Sequence, residues 1–152
     1  MNNNLIYMLL VLICLGCNNK TEFFPLTEIG KEYSSNKDIN EYIIISNPPK
    51  NTDSLASLIS QYNDTTINLC QIEKDSIWLM RIFYKESSGM SRDYEEDHSY
   101  FGDYVIADHL DDIIAVFQKT GSSEKHYWEF KVKAHNDSDE WKSYPVEINC
   151  PE

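Results

Sequence analysis

The hydrophobic pattern of the chain opens on an uninterrupted apolar run, Leu5 to Leu15, closed by Gly16-Cys17, after which the composition turns polar at once. The run falls short of the about 20 apolar residues a membrane-spanning helix needs. Its length suits the hydrophobic core of a secretory signal peptide. Past it, Asn18-Asn19-Lys20-Thr21-Glu22 reads as a polar tether, and Phe23-Phe24-Pro25-Leu26 as an aromatic patch that docks as an edge strand interrupted by Pro25. Tyr33 to Asp38 has no periodicity and reads as loop.

Glu41-Tyr42-Ile43-Ile44-Ile45-Ser46 is a short β-branched run bounded by turn residues, the pattern of a strand buried on both faces. Asn47-Pro48-Pro49 ends it, because proline cannot donate to a ladder and turns its neighbour away from helix. A helix over about 53–63 comes next, capped by Thr52 or Asp53, with Leu55, Leu58, Ile59 and Tyr62 forming one apolar stripe. A short strand is expected over Ile67–Gln71. From Ile77 to Tyr84 both alternating faces are largely apolar: Trp78, Met80, Ile82 and Tyr84 on one, Ile77, Leu79, Arg81 and Phe83 on the other. That places this strand centrally.

Ile113–Gln118 is another apolar strand, and Gly121 marks the turn to a strand of strict alternation. There Trp128, Phe130, Val132 and Ala134 face the core, and Tyr127, Glu129, Lys131 and Lys133 face water. The two read as an antiparallel hairpin. Tyr144–Cys150 is expected to add a last short strand, with Pro145 near its start. The fold class is therefore α+β: one amphipathic helix packed on a mainly antiparallel sheet of about four to six strands. The expected organisation is residues 1–16 as signal peptide, 17–39 as a lipidated cysteine and tether, and 40–152 as a single domain.

Composition adds a core and a charge. A hydrophobic fraction of 41% and an aromatic fraction of 12% are those of a globular protein. Residues 1–16 contain no Asp, Glu, Lys or Arg, so the net charge of −12 belongs to residues 17–152. An acidic surface of that size argues against nucleic acid and anionic lipid headgroups as partners, and admits a basic protein.

The N-terminal run carries a resemblance. Ile13-Cys14-Leu15-Gly16-Cys17 resembles a bacterial lipobox, with Cys14 where Leu is usual and no Lys or Arg in Met1–Asn4. It implies cleavage after Gly16 and lipidation of Cys17, hence a membrane-anchored lipoprotein of the cell envelope, facing the periplasm or the cell surface. The alternative is a buried N-terminal strand or helix in a cytosolic protein. The whole chain resembles small lipoproteins of Bacteroides-type bacteria with no assigned function. The likeness lies in Ile44-Ile45-Ser46-Asn47-Pro48-Pro49 running into the helix at Asp53, and in Ile82-Phe83-Tyr84-Lys85-Glu86 leading to Arg92-Asp93-Tyr94-Glu95-Glu96. It implies lineage and location, and carries over no catalytic residue.

Export would leave Cys70 and Cys150 as the remaining cysteines. In an oxidising compartment they are candidates for one disulfide; two buried free thiols are the other reading.

Candidate chemistry concentrates in residues 93–112, dense in carboxylates and tyrosines. Asp93, Tyr94, Glu95, Glu96, Asp97, Tyr100 and Tyr104 are the candidate partner-binding residues, since tyrosines supply rigid contact area and carboxylates pair with Lys or Arg. The Asp-x-Asp-x-Asp-Gly spacing of a calcium loop is missing, and no His-Glu-x-x-His helix joins His98 to His109 for zinc. Ser87-Ser88-Gly89 is a turn and not a nucleophile elbow. No metal, cofactor or catalytic residue is assigned. The expected function is a non-enzymatic, lipid-anchored binding module of the cell envelope. The alternative is an immunity-type inhibitor that neutralises a basic secreted toxin through residues 93–112, and a small envelope hydrolase ranks third.

Overall fold

The run Tyr42–Ile45 is buried on both sides, as its β-branched composition requires, because covering layers lie on the two faces of the strand that holds it. The computed structural model of the chain describes residues 20–26, 38–94, 108–122, 125–133 and 140–150. Its elements are β1 (Glu22–Leu26), β2 (Asp38–Ser46), α1 (Thr52–Thr66), α2 (Leu69–Lys74), β3 (Trp78–Lys85), a single 3-10 turn (Leu110–Asp112), β4 (Ile113–Gly121), β5 (His126–Lys133) and β6 (Trp141–Tyr144). The strands form one sheet in the order β1-β2-β3-β4-β5-β6. All neighbours run antiparallel except β2 and β3, which pair in parallel from Asp38↔Trp78 to Ile45↔Lys85. A hairpin cannot join parallel strands, so the chain returns through α1 and α2 between them. With one main helix, one short one and a mostly antiparallel sheet, the fold is α+β.

The N-terminal aromatic patch joins the sheet as edge strand β1, and its residues 22–26 lie ahead of residue 40, the expected start of the domain. Pro25 is tolerated because the strand is an edge. Phe23 stacks on Tyr62 with centroids 4.4 Å apart, while Phe24 on the opposite face meets the Arg92 guanidinium at 4.6 Å.

The cap of helix α1 is Asn51, one residue ahead of the expected Thr52 or Asp53. Asn51 is still extended, and its side chain accepts from the Ser54 N–H at 2.9 Å. Leu55, Ala56, Ile59 and Asn63 form its buried face. The helix runs to Thr66, where the Thr65 and Thr66 hydroxyls both donate to the Tyr62 carbonyl.

Two expected strands are also corrected. Ile67–Gln71 is not a strand: Asn68 accepts from the Gln71 N–H at 3.1 Å and starts α2, whose Leu69 and Ile72 share an inward face. Five residues are too few to separate a period of two from one of 3.6. The last strand is Trp141–Tyr144, ahead of Pro145, and residues 145–150 pair with no strand among the described residues. The hairpin of β4 and β5 closes at Gly121↔His126, where Gly121 has φ 114° and a Cβ would collide with the Lys125 carbonyl.

The sheet carries two cores. On the helix side, Ile43, Ile45, Leu79 and Phe83 pack with Leu55, Ile59 and Ile72, and with Phe117, Phe130 and Val132 from the hairpin. Ala134 lies outside the described residues. On the other side, Tyr42, Ile44, Ile82 and Tyr84 are covered by Met90 and Tyr94. The turn that delivers Met90 is built by Ser87. Its hydroxyl accepts from the Met90 and Gly89 N–H groups and donates to Asp112 Oδ2 at 2.8 Å.

Candidate functional site

Of the residues singled out in the sequence, Cys17, Glu95, Glu96, Asp97, His98, Tyr100 and Tyr104 lie outside the described residues. Asp93, Asp108 and Asp111 are exposed. Tyr94 is only 4% exposed and packs edge-on to His109, with centroids 5.4 Å apart. Its ring serves the core rather than the surface, and burial, with Asp108 nearby, raises its hydroxyl above the ordinary range. His109 Nδ1 stands 3.6 Å from Asp112 Oδ2. Among the described residues no group of three or more His, Cys, Asp or Glu side chains is placed to hold a metal ion.

Cys70 on α2 is joined to Cys150, with Cα atoms 5.4 Å apart and a sequence separation of 80. The bridge closes a strap over α1. At the strap's start, Lys142 Nζ and Tyr144 Oη on β6 both donate to Asp53 Oδ1, the latter at 2.7 Å. The Lys142 hydrogen bond, then that of Tyr144, holds the Asp53 carboxyl below its ordinary range. At its end the disulfide fixes the chain to α2.

Between these two ties, residues 145–147 overhang a cleft of about 270 Å³. Leu69, Phe117, Phe130 and Val146 give it apolar walls. Asp64 and Glu147 stand at its exposed rim, and neither is paired with a cation among the described residues. Asn63, 2% exposed, also lines it. Its orientation is set by Arg81, a guanidinium that can only donate and that reaches Asn63 Oδ1 at 2.7 Å. The other amide atom, Nδ2, is buried without a hydrogen-bond partner among the described residues.

Arg81 is held in the middle of an apolar strand face by its partners. Its Nε donates to Glu41 Oε2 at 2.5 Å and its Nη1 to Asn63 Oδ1 and Thr66 Oγ1, with the Tyr62 ring 5.6 Å away. The side chain is 3% exposed, so these contacts stand in for its lost water.

A second polar cluster ties α2 to the hairpin. The Glu73 carboxylate accepts from Lys119 Nζ at 2.9 Å and from Trp128 Nε1, and lies 3.0 Å from His126 Nε2. Burial alone would raise the Glu73 carboxyl, but the Lys119 and Trp128 hydrogen bonds outweigh it and hold the group below its ordinary value. A carboxylate so saturated with donors is a poor proton acceptor, and its work is to hold elements together. Lys119, nearly buried, rests 5.9 Å from the Trp78 ring centroid.

Sequence reading overlooked Asn63, Asp64, Glu147, Arg81 and Glu73. Arg81 carried a signal, a lone charge among Ile77, Leu79 and Phe83. So did Asn63, which continues the spacing of Leu55 and Ile59 by one more turn. Glu73 and Glu147 carried none, since the groups they meet lie far away in sequence.

Among the described residues no helix is long and apolar enough to cross a membrane. In comparisons with protein-family models, curated proteins and solved structures, nothing matches this chain.

Proposed function

We propose that the chain is a lipid-anchored binding module of the cell envelope, a small lipoprotein of Bacteroides-type bacteria that acts without catalysis. The observation that supports this reading is the Cys70–Cys150 bridge, since structural disulfides persist in oxidising compartments and are rare in the cytosol. A chain exported behind Leu5–Leu15 arrives in such a compartment, and Cys17 is then the thiol available for lipid. Two or three acyl chains, at about 0.8 kcal/mol per buried methylene, make a lasting anchor.

Mass spectrometry of the N-terminus tests the address. The expected mature protein begins at a lipid-modified Cys17. Residues 1–16 still attached to an unmodified Cys17 overturn the reading.

A second reading, an immunity-type inhibitor of a basic toxin, draws on the exposure of Asp93, Asp108 and Asp111 at the two ends of the acidic segment. Tyr94, buried beneath, is not part of such a contact surface. Neutralising Asp93, Glu95, Glu96 and Asp97 together then abolishes binding to a basic partner. Unchanged binding removes this reading.

A further inference from the structure

We propose that the cleft under the disulfide-held strap binds a small organic cation: an apolar or aromatic body carrying a protonated amine and a carbonyl. The inference rests on the reading of the chain as a binding module, and is independent of the lipid anchor.

Each part of that ligand answers a feature of the cleft. The walls Leu69, Phe117, Phe130 and Val146 offer apolar surface to a ring or short aliphatic body. The rim presents Asp64 and Glu147, two exposed carboxylates, and among the described residues no Lys, Arg or His lines the site. An amine is therefore attracted and a carboxylate repelled, which matches the acidic balance of the chain. Asn63 supplies the third requirement. Asn63 lines the cleft, and because Arg81 holds Oδ1, the amide atom without a partner among the described residues is Nδ2, a donor. A buried donor without a partner is costly, and a ligand carbonyl removes that cost. The volume of about 270 Å³ equals the room of about nine waters at ~30 Å³ each, so the ligand is smaller than a typical drug.

The site is also conditional on oxidation. Val146 and Glu147 belong to the strap, and the strap's far end is held by Cys150. Reduction frees that end and loosens one wall together with one of the two carboxylates. Binding then weakens while the sheet, which contains neither cysteine, stays paired.

The test uses the full chain, oxidised, titrated with phenylalaninamide, which combines a phenyl ring, an amine cation and an amide carbonyl. N-acetylphenylalanine, with the same ring and a negative charge, is the control. Binding is followed by the NMR shifts of the Asn63 side-chain amide and the Val146 methyl groups. The expected result is saturable binding of phenylalaninamide with a dissociation constant of about 1 mM, as befits so small a ligand. The control binds at least about tenfold more weakly, for a charge-pair difference of about 1.4 kcal/mol. The double variant D64N/E147Q, which alters two exposed side chains, keeps the fold and weakens binding by a similar factor. Reduction weakens it as well. Absence of saturable shifts, equal binding of amine and carboxylate, or an unaltered affinity in D64N/E147Q overturns the proposal. Such a failure removes the cleft ligand alone and leaves the anchored module to the N-terminal mass spectrum, whose own failure leaves the cleft untouched.

Discussion

Replacing Arg81 with Met tests whether the polar seam between α1 and the sheet stabilises the fold. The substitution keeps length and apolar contact and deletes the charge. It leaves Asn63 Oδ1 and Thr66 Oγ1 without their donor and Glu41 without its cation. A buried acceptor stripped of a charged donor costs about 1–3 kcal/mol, and Asn63 is 2% exposed. The Glu41 side chain is 38% exposed, so water screens that pair and its share is on the order of 1 kcal/mol or less. Relief of guanidinium desolvation works in the other direction. Removing one member of a fully buried pair costs about 3–5 kcal/mol, and the partial exposure of Glu41 puts this case at the lower end, about 3 kcal/mol. Urea unfolding followed by tryptophan fluorescence reads the effect as a midpoint lower by about 1.5 M for a slope of about 2 kcal/mol/M. Pairing the change with Asn63→Leu removes the orphaned amide, so the double variant recovers about 1–2 kcal/mol of the summed single losses. A loss below about 1 kcal/mol for R81M, or strict additivity with N63L, refutes the reasoning.

Other consequences can be measured in the same way. Cys150→Ser opens a loop spanning 80 residues, and chain entropy puts the loss at about 4–5 kcal/mol; a fall in the unfolding midpoint that reducing agent reproduces in the wild type is the expected pattern. Tyr84 is fully buried, its hydroxyl has no hydrogen-bond partner among the described residues, and burial pushes that hydroxyl's titration upward. Tyr84→Phe therefore stabilises or is neutral, within about 1–2 kcal/mol of gain, and a thermal midpoint that drops would show the hydroxyl to be engaged. The carboxyls of Glu73, Glu86 and Glu129 are held below their ordinary 4.5. Depressed carboxylates contribute stability that is complete above that value and lost as pH falls through the folded one, so the urea midpoint declines between about pH 5 and pH 3. Glu73→Gln flattens part of this decline, and an unchanged slope in that variant removes Glu73 as a cause.

Strong periodic segments are legible in the sequence alone. The alternation of Trp128, Phe130 and Val132 against Tyr127 and Glu129 specifies a strand with one wet face, and Tyr42–Ile45 one with none. Where local signals compete, the reading fails. Asn68 offers a cap that a strand reading ignores, and Asn51 caps a helix in place of its two neighbours Thr52 and Asp53. The strand expected over Tyr144–Cys150 lies instead at Trp141–Tyr144, ahead of Pro145, where it pairs with β5. The cleft is illegible for a further reason. Its walls come from α1, α2, the hairpin and the strap, and only the tertiary fold brings them together.

The strand order has a bearing on how the molecule forms. Each described strand lies beside its immediate described predecessor in the chain, so a polypeptide lengthening through them finds the neighbour it needs already made. Short sequence separation of pairing partners is what speeds folding. The one parallel pairing among the described strands, β2 with β3, needs α1 and α2 to span the gap. Cys150 follows all six described strands in the chain, and thiol oxidation takes seconds to hours. The covalent tie therefore secures a sheet already assembled and has no part in choosing its topology.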